Sequence, residues 1–307
     1  MPDTEVIVVG AGPAGAALAA RLGERHEVLL LDRARFPRDK VCGEALGPGG
    51  LPFLARLEVL GAMRQAGAWP LRGFRLVAPD GAICEALYPR GEAGLTISRL
   101  AMDAILLDRA RQAPKVTVLE GAAVTGLWRE GLAVGGVTLA DGTTIRARLV
   151  VGADGRYSKV RKWAFGEGPA PRARRFCFIN TFEGGALEDD MTEIALAGPG
   201  LQILRVYQGE GRYAACVVAD EATRRSEDPG RPARFQAMVA GLPRMRDRLA
   251  TARLAGPMKG MPLAPYGVSR VVGDGVLLVG DAVGYLDPIT GEGMVRALFG
   301  AEAAAEA

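Results

Sequence analysis

The segment Gly10-Ala11-Gly12-Pro13-Ala14-Gly15 constrains this chain more than any other. It follows a short β-branched run, Glu5 to Val9, and opens an Ala/Leu-rich run, Ala14 to Leu22; a second apolar run, Glu27 to Leu31, then ends at Asp32. Strand, glycine turn, helix and second strand form a β–α–β unit, the opening of a doubly wound parallel sheet. In a G-x-G-x-x-G turn the first glycine allows the tight bend, the second lets backbone approach a pyrophosphate, and the third permits close helix–strand packing. The helix N-terminus, with Pro13 and Ala14 in its first turn, presents N–H donors to phosphate. Asp32 lies 32 − 10 = 22 residues after Gly10, where its carboxylate can accept from a ribose hydroxyl. A glycine-rich packing turn would explain the glycines but leave Asp32 without a reason.

The rest of the chain alternates between two textures. Arg72 to Ala78 and Ala82 to Tyr88 flank Pro79-Asp80-Gly81 and predict a hairpin. Ser98 caps a predicted helix to about Gln112, and Val116 to Leu119, Val137 to Leu139 and Ile145 to Val151 read as strands. Phe176 to Phe182, Thr192 to Leu196, Leu201 to Tyr207 and Tyr213 to Val218 predict an antiparallel sheet, followed by a helix from Arg234 to Leu249. Val276 to Val279 is a buried-type strand, and a last helix begins near Gly293.

Composition narrows the chemistry. Among 307 residues there is one histidine, His26, in the connector before the second strand. That excludes histidine-based triads and multi-histidine metal sites, which need an imidazole base or ligand, and no metal site is expected. The 42 glycines are about twice the usual share of roughly 7%. Cys42, Cys84, Cys177 and Cys216 form no C-x-x-C pair, which argues against a zinc knuckle or disulfide scaffold and fits a cytoplasmic location. A net charge of +3 is too small to imply nucleic acid. The run Val6 to Ala20 is too short and too glycine-rich for a membrane span, and no basic segment of a signal peptide precedes it.

Three later segments choose the dinucleotide. Val151-Gly152-Ala153-Asp154-Gly155-Arg156 puts Asp-Gly directly after a strand, with Ser158 and Arg161 trailing; Val279-Gly280-Asp281-Ala282 puts Gly-Asp after another; Asp287 to Met294 leads into the final helix. In this order the motifs resemble those of the para-hydroxybenzoate-hydroxylase-fold flavoproteins, over nearly the whole chain. The resemblance implies an α/β fold: an FAD-binding, doubly wound, Rossmann-like domain with an inserted antiparallel-sheet substrate domain. It implies FAD as cofactor, with Asp281 on the ribityl chain and the Gly291–Gly293 backbone and Met294 facing the flavin ring. Reduction builds negative charge at that edge, which a helix N-terminus stabilises. By the same likeness Arg33, Lys40, Gly43, Arg99, Val124, Asp154, Gly155 and Gly280 also belong to the cofactor site, beside Gly10, Gly12, Pro13, Ala14, Gly15 and Asp32. For Arg99 the alternative is a surface i,i+4 pair with Asp103. With one dinucleotide fingerprint in the sequence, NAD(P)H is expected as a transient electron donor, and a ferredoxin-like donor stays open beside it.

Asp39-Lys40-Val41-Cys42-Gly43-Glu44 is similar to the Lys-x-Cys-Gly-Glu segment of the geranylgeranyl reductase group within this fold. That likeness places Cys42 and Glu44 at the reacting centre as catalytic residues; for Cys42 the alternative is a small packing residue beneath the cofactor. One departure stands out. The group carries a Tyr-x-Trp-x-Phe-Pro stretch on its substrate sheet, whereas Gly200 to Tyr207 here has neither Trp nor Pro, and Arg205 falls where an aromatic wall is expected. The expected division is 1–70, 97–167 and 257–307 for the FAD domain and 71–96 with 168–256 for the substrate domain. C-terminal helices that relatives carry are expected to be missing here, through truncation or in a minimal variant. The leading expectation is an FAD-dependent reductase of a double bond in a lipophilic small molecule. The alternatives are a monooxygenase hydroxylating an aromatic or polyketide substrate, and a truncated FAD-binding protein without catalysis. Peripheral membrane contact and oligomeric state stay open.

Overall fold

The computed structural model describes residues 3–166, 174–185, 188–242, 245 and 251–307. Its first sheet has the parallel strand order Val276–Leu278, Thr144–Gly152, Thr4–Val9, Val28–Asp32 and Val116–Glu120. Val8 pairs with Leu30 on one side and Val151 on the other. The strand Val28–Asp32 is buried along its whole length, which is why it reads as an unbroken apolar run rather than an alternating one. One face carries the helices Pro13–Leu22, Arg99–Gln112 and Gly293–Glu306. The small side chains of Ala16, Ala17, Ala19 and Ala20, all buried, let the first of these wedge between the other two. On the other face Ile7, Val9, Leu29 and Val150 meet Val134 and Val137.

Those last two residues belong to Ala133–Leu139, which pairs antiparallel with Val124–Glu130 and Thr144–Gly152. Of this meander the sequence predicted Val137 to Leu139 and Ile145 to Val151 but not Val124–Glu130, and it cut the middle strand short. Gly126, Gly135 and Gly136 interrupt the alternation that marks a strand, so the pattern there is too dilute to read.

The second sheet runs Arg253–Leu263, Arg175–Glu183, Tyr213–Asp220, Leu201–Tyr207, Met191–Gly198, Gly73–Val77 and Ile83–Leu87. The predicted hairpin and the four later strands are all present, but they form one sheet, joined by a parallel pairing of Met191–Gly198 with Gly73–Val77. Parallel neighbours need a long connection, and here more than a hundred residues lie between the two strands, as their numbering shows. The predicted helix from Arg234 is observed over Pro232–Ala240 and stops at Gly241; positions 243–244 and 246–249 of the prediction lie outside the described residues. A three-stranded patch, Ala45–Leu46, Gly94–Thr96 and Trp69–Leu71, was not predicted. It links the two sheets, and Thr96 Oγ1 donates to the Tyr207 carbonyl at 2.7 Å.

Strand alternation gives the second sheet two unlike faces. Ile203, Tyr207, Tyr213 and Val217 pack with Phe235 and Val239 of the helix, whereas Cys177, Ile179, Cys216 and Val218 turn toward Tyr285 of the first domain. Arg205 shares the parity of Ile203 and Tyr207. It therefore lies on the helix side, fully buried, with Nη2 2.9 Å from Asp189 Oδ2 and 3.0 Å from Glu193 Oε2. Arg75 joins Asp189 at 2.7 Å. The expectation that Arg205 replaces an aromatic substrate wall is overturned, because Leu204 is the residue that turns toward the first domain. Arg205 is a member of a buried charge ladder.

Candidate functional site

The glycine turn owes its shape to close approaches. Gly10 has φ +104°, and a Cβ there would stand 2.5 Å from the Ala153 carbonyl oxygen; a Cβ on Gly15 would stand 1.8 Å from the Gly10 carbonyl oxygen. Gly12 differs: its Cβ direction is open apart from Arg38 Nη2 at 3.6 Å. The turn is thus closed toward the protein at Gly10 and Gly15 and open at Gly12, beside a guanidinium. That is the geometry a pyrophosphate requires. Pro13 and Ala14 form the buried first turn of the helix.

Asp32 ends its strand 8% exposed. Its Oδ2 accepts from the Ala11 N–H and its Oδ1 from the Ala34 N–H, both at 2.8 Å. Four lone-pair directions on a carboxylate leave capacity for a ribose hydroxyl. Arg33, next in sequence, is exposed. Val124 opens its strand two residues after Ala122, whose N–H donates to the Asp32 carbonyl at 2.9 Å, so it borders the same end of the sheet. Asp32→Ala removes a charged acceptor, and such hydrogen bonds contribute about 1.5–3 kcal/mol. FAD affinity is expected to fall roughly 10- to 100-fold, read as the dissociation constant from flavin fluorescence quenching; an unchanged constant removes Asp32 from the site.

The mid-chain and late motifs meet because Thr144–Gly152 and Val276–Leu278 are parallel neighbours, with Gly152 opposite Leu278. Two side chains tie the segments together: Arg161, which trails the Asp-Gly pair in sequence, and Tyr266, which carries no sequence signal. Arg161 Nη1 donates to the Ala282 carbonyl at 3.0 Å, and the Tyr266 hydroxyl bonds the carbonyls of Arg156 and Asp281. Asp154 caps the helix Lys159–Phe165 through Oδ2, at 2.7 Å from the Lys159 nitrogen, while its buried Oδ1 has no partner among the described residues. Gly155, at φ +81°, lies with its Cβ direction 3.4 Å from Lys40 Nζ.

Buried Arg99, half-buried Asp281 and the exposed Lys40 converge here. The surrounding protein desolvates the Lys40 ammonium and lowers its ionisation, and the Arg99 cation lowers it further. Burial raises the Asp281 carboxyl, against the pull of Lys40 and Arg99. Burial also works against the Arg99 cation, yet hydrogen bonds to Asp103 outweigh it and hold the guanidinium charged. Arg99 is therefore not a surface pair partner. It is 6% exposed and bidentate on Asp103, at 2.7 and 2.8 Å, and Asp103 is fully buried. Asp103 Oδ2 also receives Arg38 Nη1 at 2.9 Å. Arg38 was missed, and Asp103 was weighed only as a surface partner of Arg99, because an Arg in a loop and an Asp inside a helix carry no signal of burial; only the fold joins them.

The far end of the site is open backbone. Gly280 (φ +61°) packs against Ala14, whose Cβ would lie 2.8 Å from a Cβ at position 280. A Cβ at Gly43, Gly291 or Gly293 would meet nothing within 4 Å. Gly293 opens the last helix with Met294 buried behind it, and Asp287 holds the preceding turn by pairing with Arg175 of the second sheet and accepting from the Ile289 N–H at 3.2 Å. A phosphate-shaped turn, a ribose acceptor, the buried Arg99 cation, an orphaned carboxylate oxygen and an open helix start all fit FAD. These residues, from Gly12 to Gly293, would hold it.

Between this cradle and the second sheet is a cavity of about 30 Å³ lined by Lys40, Val41, Cys42, Glu44, Ile179 and Ala214, among others. Glu44 (φ +61°) spans the two domains: Oε1 accepts from the Arg99 N–H at 3.1 Å and Oε2 receives Gln208 Nε2. Burial raises its carboxyl and those two hydrogen bonds oppose the rise. The Cys42 sulfur accepts from the Glu44 N–H at 3.4 Å and lies against Arg99. Lys259 of the second sheet pairs with Asp39 at the same seam.

A family model described as "FAD binding domain" matches residues 3–301. The chain is 32% identical to menaquinone reductase of Mycobacterium tuberculosis, over 99% of this chain and 76% of that protein. It is 42% identical to 6-methylpretetramide 4-monooxygenase of Streptomyces rimosus over 171 residues, which cover 52% of this chain and 40% of that protein. Among solved structures, the flavin-dependent brominase Bmp2 superposes with a TM-score of 0.85 at 20% identity, over 99% of this chain and 78% of that one.

Proposed function

The chain belongs to the FAD-binding-domain family of flavoprotein oxidoreductases, and on that premise we propose that it is a flavin-dependent monooxygenase of an aromatic or polyketide small molecule. Bound FAD supplies two-electron redox chemistry and, once reduced, a place for dioxygen to react. The protein binds, orients and screens. Arg38, Arg99 and the Pro13–Leu22 helix start would neutralise the pyrophosphate, Asp32 and Asp281 would accept from ribose and ribityl hydroxyls, and the start of the Gly293–Glu306 helix would stabilise negative charge at the ring. NAD(P)H is the proposed donor, visiting without a fingerprint of its own. The cradle is proposed to draw on 1–70, 97–167 and 257–307, with 71–96 and 168–256 as the substrate wall.

The observation that carries this reading is the engagement of Glu44. Reducing a carbon–carbon double bond needs a proton delivered to carbon as well as a hydride. Glu44 is the one carboxylate among the cavity-lining residues, and both its oxygens already accept hydrogen bonds from Arg99 and Gln208. Those bonds make Glu44 a brace between the two sheets' domains, and hydroxylation of an electron-rich ring asks no carbon-directed proton of the protein, so this reading does not need Glu44 to leave that brace. The 42% identity to a monooxygenase over half the chain supports the same choice.

Double-bond reduction is the second reading, favoured by the Lys40-to-Glu44 segment and by the likeness to menaquinone reductase across 99% of the chain. Oxygen separates the two. The holoprotein is reduced anaerobically, then offered polyketide, quinone and prenyl substrates with and without dioxygen. Product that appears only with oxygen, and that carries one atom from labelled dioxygen, is expected. Equal product without oxygen overturns monooxygenation.

A further inference from the structure

Two cysteines outside the cofactor cradle come together in the wall facing it. Cys177 is registered with Val218, and Ile179 with Cys216, so the two thiols are diagonal neighbours on adjacent strands. Their sulfurs stand 2.9 Å apart, closer than two unbonded thiols ordinarily pack. Both are buried among Ile179, Val218, Leu263 and Tyr285. The contact with Cys177 and burial push the Cys216 thiol up, so burying a Cys216 thiolate is unfavourable here. A disulfide has no S–H to satisfy and no charge to bury. Closing to about 2.05 Å asks less than 1 Å of movement within a register already set by the sheet.

Access also points to one reagent. Ile179, paired with Cys216, and Ala214, two residues along the same strand, both line the 30 Å³ cavity. That volume has room for water-sized molecules. A peroxide is small enough to enter; glutathione disulfide is not.

We propose that Cys177 and Cys216 form a dithiol site that hydrogen peroxide oxidises to a disulfide within the substrate wall, leaving Cys42 and Cys84 reduced. One sulfur, after losing its proton, attacks the peroxide: an S–O bond forms, the O–O bond breaks, and the departing hydroxide takes that proton as water. The second sulfur then displaces hydroxide from the first. The S–S bond forms, the S–O bond breaks, and the second thiol proton leaves in another water. Two thiols and one peroxide give one disulfide and two waters, with two electrons passing from sulfur to oxygen.

The test uses the FAD-loaded protein treated with one equivalent of hydrogen peroxide, denatured, alkylated, and mapped by mass spectrometry. Titratable thiols are expected to fall from four to two, with the Cys177 and Cys216 peptides joined and separated again by dithiothreitol. A Cys42→Ser/Cys84→Ser variant is expected to fall from two thiols to none. Glutathione disulfide is expected to modify exposed Cys84 and spare the pair. Linkage through Cys42 or Cys84, or full alkylation of Cys177 and Cys216 after the peroxide is consumed, overturns the site; glutathione attached to Cys216 overturns the access argument.

Discussion

Asp103→Ala is expected to destabilise the protein by about 3–5 kcal/mol and to abolish tight FAD binding. Asp103 is fully buried and holds two guanidinium groups, Arg99 through both oxygens and Arg38 through one. Removing a buried ion's partner leaves the other charge uncompensated, which costs far more than the intact pair contributes. Here two cations lose their anchor at once. Arg99 is buried too deeply to reach water without moving its helix, and Arg38 would drift from Gly12, where its Nη2 sits 3.6 Å from the open Cβ direction. Because FAD binding weakens as well, the FAD-saturated form is expected to lose more stability than the apoprotein, by the binding free energy that is lost. Urea unfolding of both forms reads the difference, and Asp103→Asn, which keeps the shape but not the charge, is expected to fall between. A loss under 1 kcal/mol in the apoprotein refutes the buried clamp.

Gly15→Ala is the second large effect, expected to cost about 3 kcal/mol or more, the upper end for forcing atoms into packed space. The new methyl would lie 1.8 Å from the Gly10 carbonyl oxygen and 3.0 Å from the Ala153 Cβ. Neither neighbour can yield cheaply. Gly10 is fixed at φ +104° with its own N–H on the Leu31 carbonyl at 2.7 Å, and Ala153 follows the central Thr144–Gly152 strand. The helix must tilt away, which opens the turn that faces the pyrophosphate. FAD binding and thermal stability are expected to fall together. Gly61→Ala is the control: it lies in the helix Leu60–Gln65 with nothing within 4 Å of its Cβ direction, so alanine there is expected to be neutral or to stabilise by up to about 1 kcal/mol. If Gly15→Ala behaves like Gly61→Ala, the close packing of the turn is refuted.

What could be read without coordinates was whatever chemistry the chain writes locally. The run from Glu5 to Asp32 encodes strand, turn, helix and carboxylate within one short stretch, and the structure reproduces them with the boundaries Thr4–Val9, Pro13–Leu22 and Val28–Asp32. Asp154-Gly155 and Gly280-Asp281 were legible for the same reason, since each follows a buried strand directly. The clamp of Arg38, Arg99 and Asp103 was not. Arg99 was singled out by resemblance, but its partner four residues along could equally have faced solvent until the helix was seen packed against the cradle.

Arg205 shows the limit most plainly. Its strand was predicted correctly as Leu201 to Tyr207, yet the sequence alone does not say which parity faces the cofactor, because both faces of that sheet are covered. The helix Pro232–Ala240 claims Ile203 and Tyr207, and Arg205 goes with them.

By itself, then, the sequence determined the opening β–α–β unit, the dinucleotide cradle and the presence of a second sheet, since each rests on neighbours in the chain held by turn geometry and hydrophobic period. Tertiary structure alone decided which face of the second sheet meets the cradle, which carboxylate neutralises the buried arginines, and that Cys177 and Cys216 touch. Those facts depend on burial and charge pairing between segments far apart in the chain, and a lone residue's identity carries no record of the partner that folding will bring to it.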